Sequence, residues 1–340
     1  MDALSFWKAC SGRASRVSLN LPQRARTYFR PVLEGKATNL RPSSLPVFDL
    51  ICRPVAYAVA FVGCSIFSAS VVDHYMTNRT VNPSVLSLAF WKQNANTAFE
   101  EFRRLALPCQ RDNRGPWKGF YAELCRMVNT MTNEDRTICS LMCINLVVFV
   151  GWKLPFARQF MRSRFTHEVF TARCSTMFSA AFSHNGMGHL AMNMYGLWLI
   201  GRSVHRDLGR EQFLAFCASS AVCATLFSHL VYARLGINVI SLGFSGVLMA
   251  LLSMFALERR DEKISLLFGQ VDVAGIWLLP LTLLSDFVLY ISGVRSISYL
   301  THLGGVLFGA LYYSWGTHLW SQRHHLTQHL PRGRFGSAGT

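Results

Sequence analysis

The stretch GFSGVLMALLSMFAL, residues 243–257, places Ser245 between glycines at the start of an apolar run. The run predicts a helix, and the flanking glycines permit a tight turn that leaves the serine hydroxyl exposed at its N-terminus. There the helix dipole and the free N–H groups stabilise developing negative charge. Gly243, Phe244, Ser245 and Gly246 therefore form a candidate nucleophile site, although the same pattern also serves tight helix packing.

Six other apolar stretches accompany this one, and all seven predict helices that approach or reach the length of a membrane span. In chain order they are 55–72, 138–152, 188–201, 213–232, 244–257, 273–291 and 303–315. The composition agrees, because 51% of the residues are hydrophobic and only 15% are charged, against about 25% in soluble domains. The predicted fold class is an all-α polytopic membrane protein, in which one transmembrane helix precedes a bundle of six.

The basic charge of the chain is spread between the apolar stretches. The net charge is +16, but no basic stripe interleaved with aromatic residues and no nucleic-acid-binding motif is present. Loops rich in Lys and Arg are typical of membrane proteins, so the lipid bilayer is the predicted partner and nucleic acid is not. The ten cysteines contain no Cys-x-x-Cys pair, so neither a zinc site nor another cofactor is predicted.

The first 46 residues form a basic leader. Lys and Arg outnumber Asp and Glu by eight to two there, serines are frequent, and an apolar core of the signal-peptide type is missing. This composition is typical of a mitochondrial transit peptide, and a disordered cytosolic tail is the alternative. The predicted division is a targeting segment at 1–50, a first transmembrane helix with a polar connector at 51–137, the bundle at 138–320 and a basic disordered tail at 321–340.

His302 begins the last apolar stretch and is followed by Gly305 and Gly309. Glycines four residues apart leave a smooth helix face on which a neighbouring helix can lie almost in backbone contact. His302 shares that face, so its imidazole can reach a serine on the neighbouring helix and act as a general base. A structural histidine that caps a carbonyl group is the alternative.

A third polar cluster, which consists of His184, His189 and Asn193, lies at the start of the stretch 188–201. His189 and Asn193 are four residues apart, so both side chains point from one face of a helix. Both can donate hydrogen bonds to the oxyanion of an acyl-transfer intermediate. A metal site that combines the two histidines with His302 is the competing interpretation, but it lacks an acidic ligand and the spacing of metalloprotease helices.

Three further strongly polar residues within the apolar stretches are Asn145, His229 and Asp286. Asn145 and His229 are interpreted as satisfied contacts between helices. Asp286 lies near the far end of its stretch, and no role is assigned to it. Since no carboxylate is placed to orient His302, the sequence predicts a Ser245–His302 dyad.

In the order and spacing of these clusters, the chain resembles the rhomboid family of intramembrane serine proteases. The matching residues are His184, His189-x-x-x-Asn193, Gly243-Phe-Ser-Gly246 and His302-x-x-Gly305-x-x-x-Gly309. The resemblance extends over roughly residues 138–320 and implies a six-helix core around a water-filled cavity that opens to one membrane face. It also implies specific roles: Ser245 as nucleophile, His302 as base, an oxyanion hole of His189, Asn193 and the Ser245 backbone N–H, and His184 near the cavity entrance.

The additional first helix and the Arg-rich leader are similar to the mitochondrial, presenilin-associated branch of this family. That branch implies a multi-pass protein of the inner mitochondrial membrane that processes imported single-span membrane proteins. The resulting hypothesis is a serine endopeptidase that cuts transmembrane segments through an acyl-enzyme. A catalytically inactive rhomboid-like binder or chaperone is the alternative, but such proteins typically lose the serine or the histidine that this chain retains.

Two positions depart from the family pattern. His205 stands where many rhomboids have a glutamate, and Met249 stands where they often have a tyrosine one turn after the serine. Neither is a reacting group, so the departures concern the packing around His302 and between helices. Two orientations stay open: the cavity faces the matrix if 55–72 crosses the membrane once, and the other side if that segment is interfacial.

Overall fold

The structure is a computed structural model that describes residues 48–78, 130–171, 173–266, 270–292 and 298–327, together with Gly119 and Arg126. The predicted targeting segment, apart from its last three residues, lies outside the described residues. So do most of the predicted polar connector and residues 328–340 of the predicted tail.

Helices follow one another in the order that the apolar stretches predict. The first, α1 (Arg53–Asn78), continues from a π-helical turn at Phe48–Cys52. The helices after it are α2 (Asn133–Lys153), α3 (Arg158–Arg164), α4 (Thr176–Ser179), α5 (Met187–Leu208), α6 (Arg210–Leu235), α7 (Ser245–Glu258), α8 (Gly275–Ile291), α9 (Tyr299–Leu311), α10 (Thr317–Ser321) and α11 (Arg323–Thr327). A π-helical turn, Tyr312–Gly316, joins α9 to α10.

Two short antiparallel strand pairs lie between the helices. The first pairs β1 (His167–Glu168) with β2 (Ile240–Ser241), and the second pairs β3 (Lys263–Leu266) with β4 (Val271–Ala274). The first pair ties the segment that leads into α7 to the chain ahead of α4, because His167 is in register with Ser241. The second is a hairpin between α7 and α8.

Three helical segments among the described residues are long and apolar enough to cross a membrane. They are Phe48–Met76, Asn133–Lys153 and Arg210–Leu235, and two shorter apolar helices, Ser245–Glu258 and Gly275–Ile291, accompany them. These segments agree with the predicted fold class, and the chain is a mostly helical, polytopic membrane protein. The count of one span plus six stays a prediction.

Helix α7 lies at the centre of the bundle. It packs against α5, α6, α8 and α9, and Ala250, Leu251 and Phe255 have no exposed surface. A helix that is apolar on every side is stabilised by burial on every side. The position of α7 therefore surrounds Ser245, its first residue, with residues from the neighbouring helices.

A chain of hydrogen bonds joins the start of α1 to the bundle. His229 on α6 donates from Nε2 to the carbonyl oxygen of Leu50 at 2.9 Å, and its Nδ1 is hydrogen-bonded to Nε2 of His167 at 3.0 Å. His229 is thus a contact between helices, as predicted. The same prediction is wrong for Asn145, which donates to the carbonyl oxygen of Leu141 on its own helix.

This contact also sets the direction of α1. His229 lies near the C-terminal end of α6, which is the end of the bundle where β2 and Ser245 follow. Leu50 is held there, so α1 begins at the same end of the bundle as Ser245. At the opposite end Arg323 on α11 donates from Nε to Asp73 at 2.7 Å. Helix α11 lies within the segment 321–340, where disorder was expected.

Candidate active site

Ser245 is the first residue of α7, and Gly243 shapes the turn that leads to it. The φ angle of Gly243 is 123°, a backbone conformation that residues with a side chain rarely adopt. A β-carbon on Gly243 would lie 2.8 Å from Cε1 of His189 and 3.7 Å from Oγ of Ser245. The Ser245 hydroxyl and the His189 ring therefore both lie next to Gly243. Phe244, the next residue in the turn, is buried with 1% exposure.

The helices that carry Ser245 and His302 are in backbone contact. A β-carbon on Gly305 would overlap the carbonyl oxygen of Gly246, and one on Gly309 would overlap that of Ala250. Gly305 and Gly309 therefore lie directly against the backbone of α7. His302 lies about one turn before Gly305, next to the start of α7.

The adjacent Gly304 packs on a different helix. A β-carbon there would lie 2.8 Å from the carbonyl oxygen of Ala224 on α6. The pair Gly304–Gly305 therefore seats α9 between α6 and α7. The spacing of glycines in the sequence predicted a packing role for Gly305 and not for Gly304, although the two are adjacent.

Asp286 on α8 accepts a hydrogen bond from Nδ1 of His302, with 2.6 Å between Oδ2 and Nδ1. The prediction that no carboxylate orients His302 is therefore wrong. The two residues are 16 positions apart on different helices, so no local pattern in the sequence relates them. Their contact depends on how α8 and α9 are placed beside α7.

The predicted oxyanion donors lie on one face of α5. His189 is half-buried, and Asn193 is buried with 3% exposure. Nδ2 of Asn193 donates to the carbonyl oxygen of His189 at 2.8 Å. Because a side-chain amide carries two N–H groups, one of them stays available to a ligand.

His184 lies in the turn before α5, and its ring meets that of His189 edge to face, with 5.0 Å between the centroids. Burial first, and the neighbouring His189 second, lower the pKa of His184 to about 4, so this imidazole is neutral at physiological pH. The turn is held by Ser183, whose Oγ donates to the carbonyl oxygen of Phe165 at 2.6 Å and accepts from Nε1 of Trp152 at 3.0 Å. The hydrogen bonds of Ser183 therefore hold the turn in which the His184 ring lies against that of His189.

The two departures from the family pattern have clear structural contacts. His205 donates from Nε2 to Oγ1 of Thr137 at 3.1 Å and so links α5 to α2. The direction follows because the hydroxyl of Thr137 donates its own hydrogen to the carbonyl oxygen of Asn133. Met249 is buried with 4% exposure, and its β-carbon lies 3.1 Å from the position of a β-carbon on Gly305, so Met249 lies where α7 meets α9.

Comparisons with known proteins cover the same helices. A sequence model of the Rhomboid domain matches residues 171–318. The chain is 27% identical over 322 residues to "Presenilin-associated rhomboid-like protein, mitochondrial" of Homo sapiens, an alignment that covers 94% of this chain and 77% of that protein. The protein of the same name from Bos taurus is 28% identical over 295 residues, or 86% of this chain and 74% of that one.

The chain is also similar to a mitochondrial rhomboid protein of yeast. "Rhomboid protein 1, mitochondrial" of Saccharomyces cerevisiae is 33% identical over 189 residues, which is 53% of each chain. The domain match contains the helices that start at Ser245 and just before His302. Residues 171–318 therefore match the Rhomboid domain, the chain is similar over most of its length to mitochondrial, presenilin-associated rhomboid-like proteins, and these findings together with the apolar helices identify it as a multi-pass mitochondrial membrane protein.

Proposed function

We propose that this protein is a serine endopeptidase that cleaves single-span membrane proteins in or beside their transmembrane segments. Ser245 is the nucleophile and His302 is the general base. His189, Asn193 and the backbone N–H of Ser245 form the oxyanion hole. The inner mitochondrial membrane is the proposed location, in keeping with the mitochondrial relatives.

One observation carries this proposal. A serine at the N-terminus of a central helix lies beside His189, and backbone contact holds that helix against the one that carries His302. A packing role alone explains the glycines, but it does not explain why a hydroxyl, an imidazole and hydrogen-bond donors meet at one helix terminus. Polar groups inside a membrane protein are costly and mark functional sites.

The arrangement supports acyl transfer. His302 takes the proton of the Ser245 hydroxyl as Oγ attacks the scissile carbonyl carbon, and the negative charge that forms on the carbonyl oxygen is stabilised by the oxyanion donors. His302 then gives the proton to the amine that leaves, and an acyl-enzyme results. A water molecule, deprotonated by the same histidine, hydrolyses the acyl-enzyme and restores the serine.

The substrate segment must be locally unwound at the cut. A helix hides its carbonyl groups in its own hydrogen bonds, so a nucleophile cannot reach them. Substrates with helix-destabilising Gly, Ser or Pro residues are therefore expected. Because α1 begins at the same end of the bundle as Ser245, a leader drawn into the matrix by the membrane potential is consistent with an active site that opens toward the matrix.

The test is cleavage in a bilayer. The full chain is reconstituted in liposomes with a fluorescently labelled single-span protein whose transmembrane segment contains Gly and Ser. Cleavage by the wild type, its loss in Ser245→Ala and His302→Ala, and its insensitivity to a chelator are the expected results. All three proteins are used in equal amounts, and their melting temperatures in detergent are measured to verify that the variants are folded like the wild type.

Two other outcomes count against the proposal. Equal cleavage by all three proteins would show that a contaminant cuts the substrate. If no protein cleaves but wild type and Ser245→Ala retain the labelled substrate in a pull-down, the inactive binder or chaperone becomes the better account.

A further inference from the structure

We propose that Asp286 is a positioning residue of this reaction, whose carboxylate holds His302 so that Nε2 faces Ser245. The inference rests on the proposed protease function and adds a residue to it. It begins from the hydrogen bond between Nδ1 of His302 and Oδ2 of Asp286, at 2.6 Å. The side chains are only 12% and 13% exposed, and shielding from water strengthens a hydrogen bond to a charged group.

The hydrogen bond selects the tautomer of His302. A neutral imidazole carries one N–H, and a carboxylate can only accept, so the hydrogen resides on Nδ1. Nε2 is then the nitrogen with a free lone pair, which is what the acceptor of a serine proton requires. Without the carboxylate, the ring can adopt the other tautomer or rotate, and both changes remove the base.

Asp286 also acts after the proton has moved. Proton transfer from Ser245 makes the ring an imidazolium, and the negative carboxylate beside it then stabilises a charge that the resting enzyme does not carry. An interaction that appears only along the reaction coordinate lowers the barrier and leaves the binding of substrate unchanged. Loss of Asp286 is therefore expected to lower kcat at constant KM.

No other described residue takes this role. In the described part of the chain, Asp286 is the hydrogen-bond partner found for the His302 ring. Met249, which packs between α7 and α9, has a thioether, and a thioether accepts hydrogen bonds only weakly. The imidazole therefore depends on the carboxylate for its orientation.

The position of Asp286 supports a functional origin for its charge. It lies on α8, whose outward side chains Trp277, Phe287 and Ile291 are more than half exposed and suit contact with lipid. A carboxylate on such a helix is unfavourable unless it has a polar partner. A purely structural tether between α8 and α9 would also use the pair, so the test must separate orientation from folding.

The test compares Asp286→Asn, Asp286→Glu and the wild type in the liposome assay, with Ser245→Ala as the inactive reference. Asp286→Asn is expected to lower kcat by about 10- to 100-fold, the loss typical of carboxylates that orient histidines in metal sites, with KM unchanged. Asp286→Glu, which keeps the charge, is expected to recover part of kcat. Asp272→Asn is the matched control, because Asp272 is an exposed β4 residue hydrogen-bonded to Ser265, and it should keep full activity.

A second readout isolates the nucleophile. A fluorophosphonate forms a bond between phosphorus and Ser245 Oγ, fluoride leaves, and His302 takes the serine proton, so its labelling rate reports the base without a protein substrate. Asp286→Asn is expected to slow labelling by the same factor as kcat. The melting temperature in detergent is measured in parallel for each variant.

The outcomes distinguish this inference from the proposed function. If Ser245→Ala is inactive but Asp286→Asn keeps both kcat and the labelling rate, the inference fails and the protease function stands. If Asp286→Asn unfolds, the Asp286→Glu variant decides instead. Should that variant fold but label no faster than background, after correction for the amount of folded protein, the inference fails, because the carboxylate would then not orient His302. Absence of cleavage and labelling in the wild type would overturn the proposed function together with this inference.

Discussion

Gly305 on α9 lies so close to Gly246 on α7 that a β-carbon at residue 305 would overlap the Gly246 carbonyl oxygen. The helices that carry the proposed base and nucleophile therefore touch through their backbones, one residue after Ser245 and about one turn after His302. Only glycine leaves room for such an approach, because any side chain would separate the helices. The separation of Ser245 and His302 is thus set by main-chain contact.

Replacement of Gly305 by alanine is expected to push α9 away from α7. Overpacking at a rigid backbone contact lowers the free energy of unfolding by about 1–3 kcal/mol. The serine–histidine distance also grows, so kcat should fall even after correction for the amount of folded protein. Melting in detergent and liposome cleavage measure the two effects. Gly63→Ala on α1 is the control, since no atom lies within 4 Å of the added carbon, and equal behaviour of the two variants would argue against the contact.

Alanine at Gly243 is expected to abolish most of the activity. The φ angle of 123° is strained for alanine, and the new carbon would meet the His189 ring at 2.8 Å, so the turn before Ser245 must move. Gly236→Ala is the matched control, because Gly236 also has a positive φ of 68° but has no atom within 4 Å of an added carbon. It should lose roughly 1–2 kcal/mol of stability and keep its kcat. A Gly243→Ala protein with wild-type kcat would contradict the assigned geometry.

Thr137→Val is expected to destabilise the protein by about 1–3 kcal/mol, because it leaves the buried donor of His205 without an acceptor. The isosteric change keeps the packing between α2 and α5. Chemical unfolding in detergent measures the loss, and Ser140→Ala is the control, since the exposed Ser140 hydroxyl bonds only the carbonyl oxygen of Arg136 on its own helix. Equal stability of the two variants would show that the contact contributes nothing.

Loss of His229 is expected to loosen α1 from the bundle. His229→Leu removes the partner of both the Leu50 carbonyl oxygen and the His167 ring, at a cost of about 1–3 kcal/mol for each unpaired group. The double variant with His167→Leu should be less destabilised than the sum of the single variants, since both act on one chain of hydrogen bonds. Strict additivity in a double-mutant cycle would count against the coupled pair.

Several features of the protein follow from local sequence. Long charge-free stretches predict helices because buried or lipid-facing backbone must satisfy its own hydrogen bonds, and α1, α2, α6 and α7 lie where those stretches lie. The start of α7 at Ser245 follows from the glycine turn before it. The close approach at Gly305 follows from small residues spaced by one helical turn.

Other contacts have no local signature. The bond of Asp286 to His302 joins residues 16 positions apart on different helices, and that of His167 to His229 spans 62 positions. Each depends on how distant helices, and in the second case strand β1 and α6, are placed beside one another, which is decided by the packing of all their neighbours at once. Prediction from the sequence therefore left Asp286 without a role.

By itself, the sequence determined that this is a helical membrane protein and that a glycine turn places Ser245 at the start of a helix, because hydropathy and turn chemistry act over a few residues. Only the tertiary structure decided that Asp286 lies against His302, that Gly304 and Gly305 serve two different helices, and that α1 starts at the same end as Ser245. These relationships arise because side chains from distant segments must fill one shared interior, and no short stretch of chain contains the information about what lies across it.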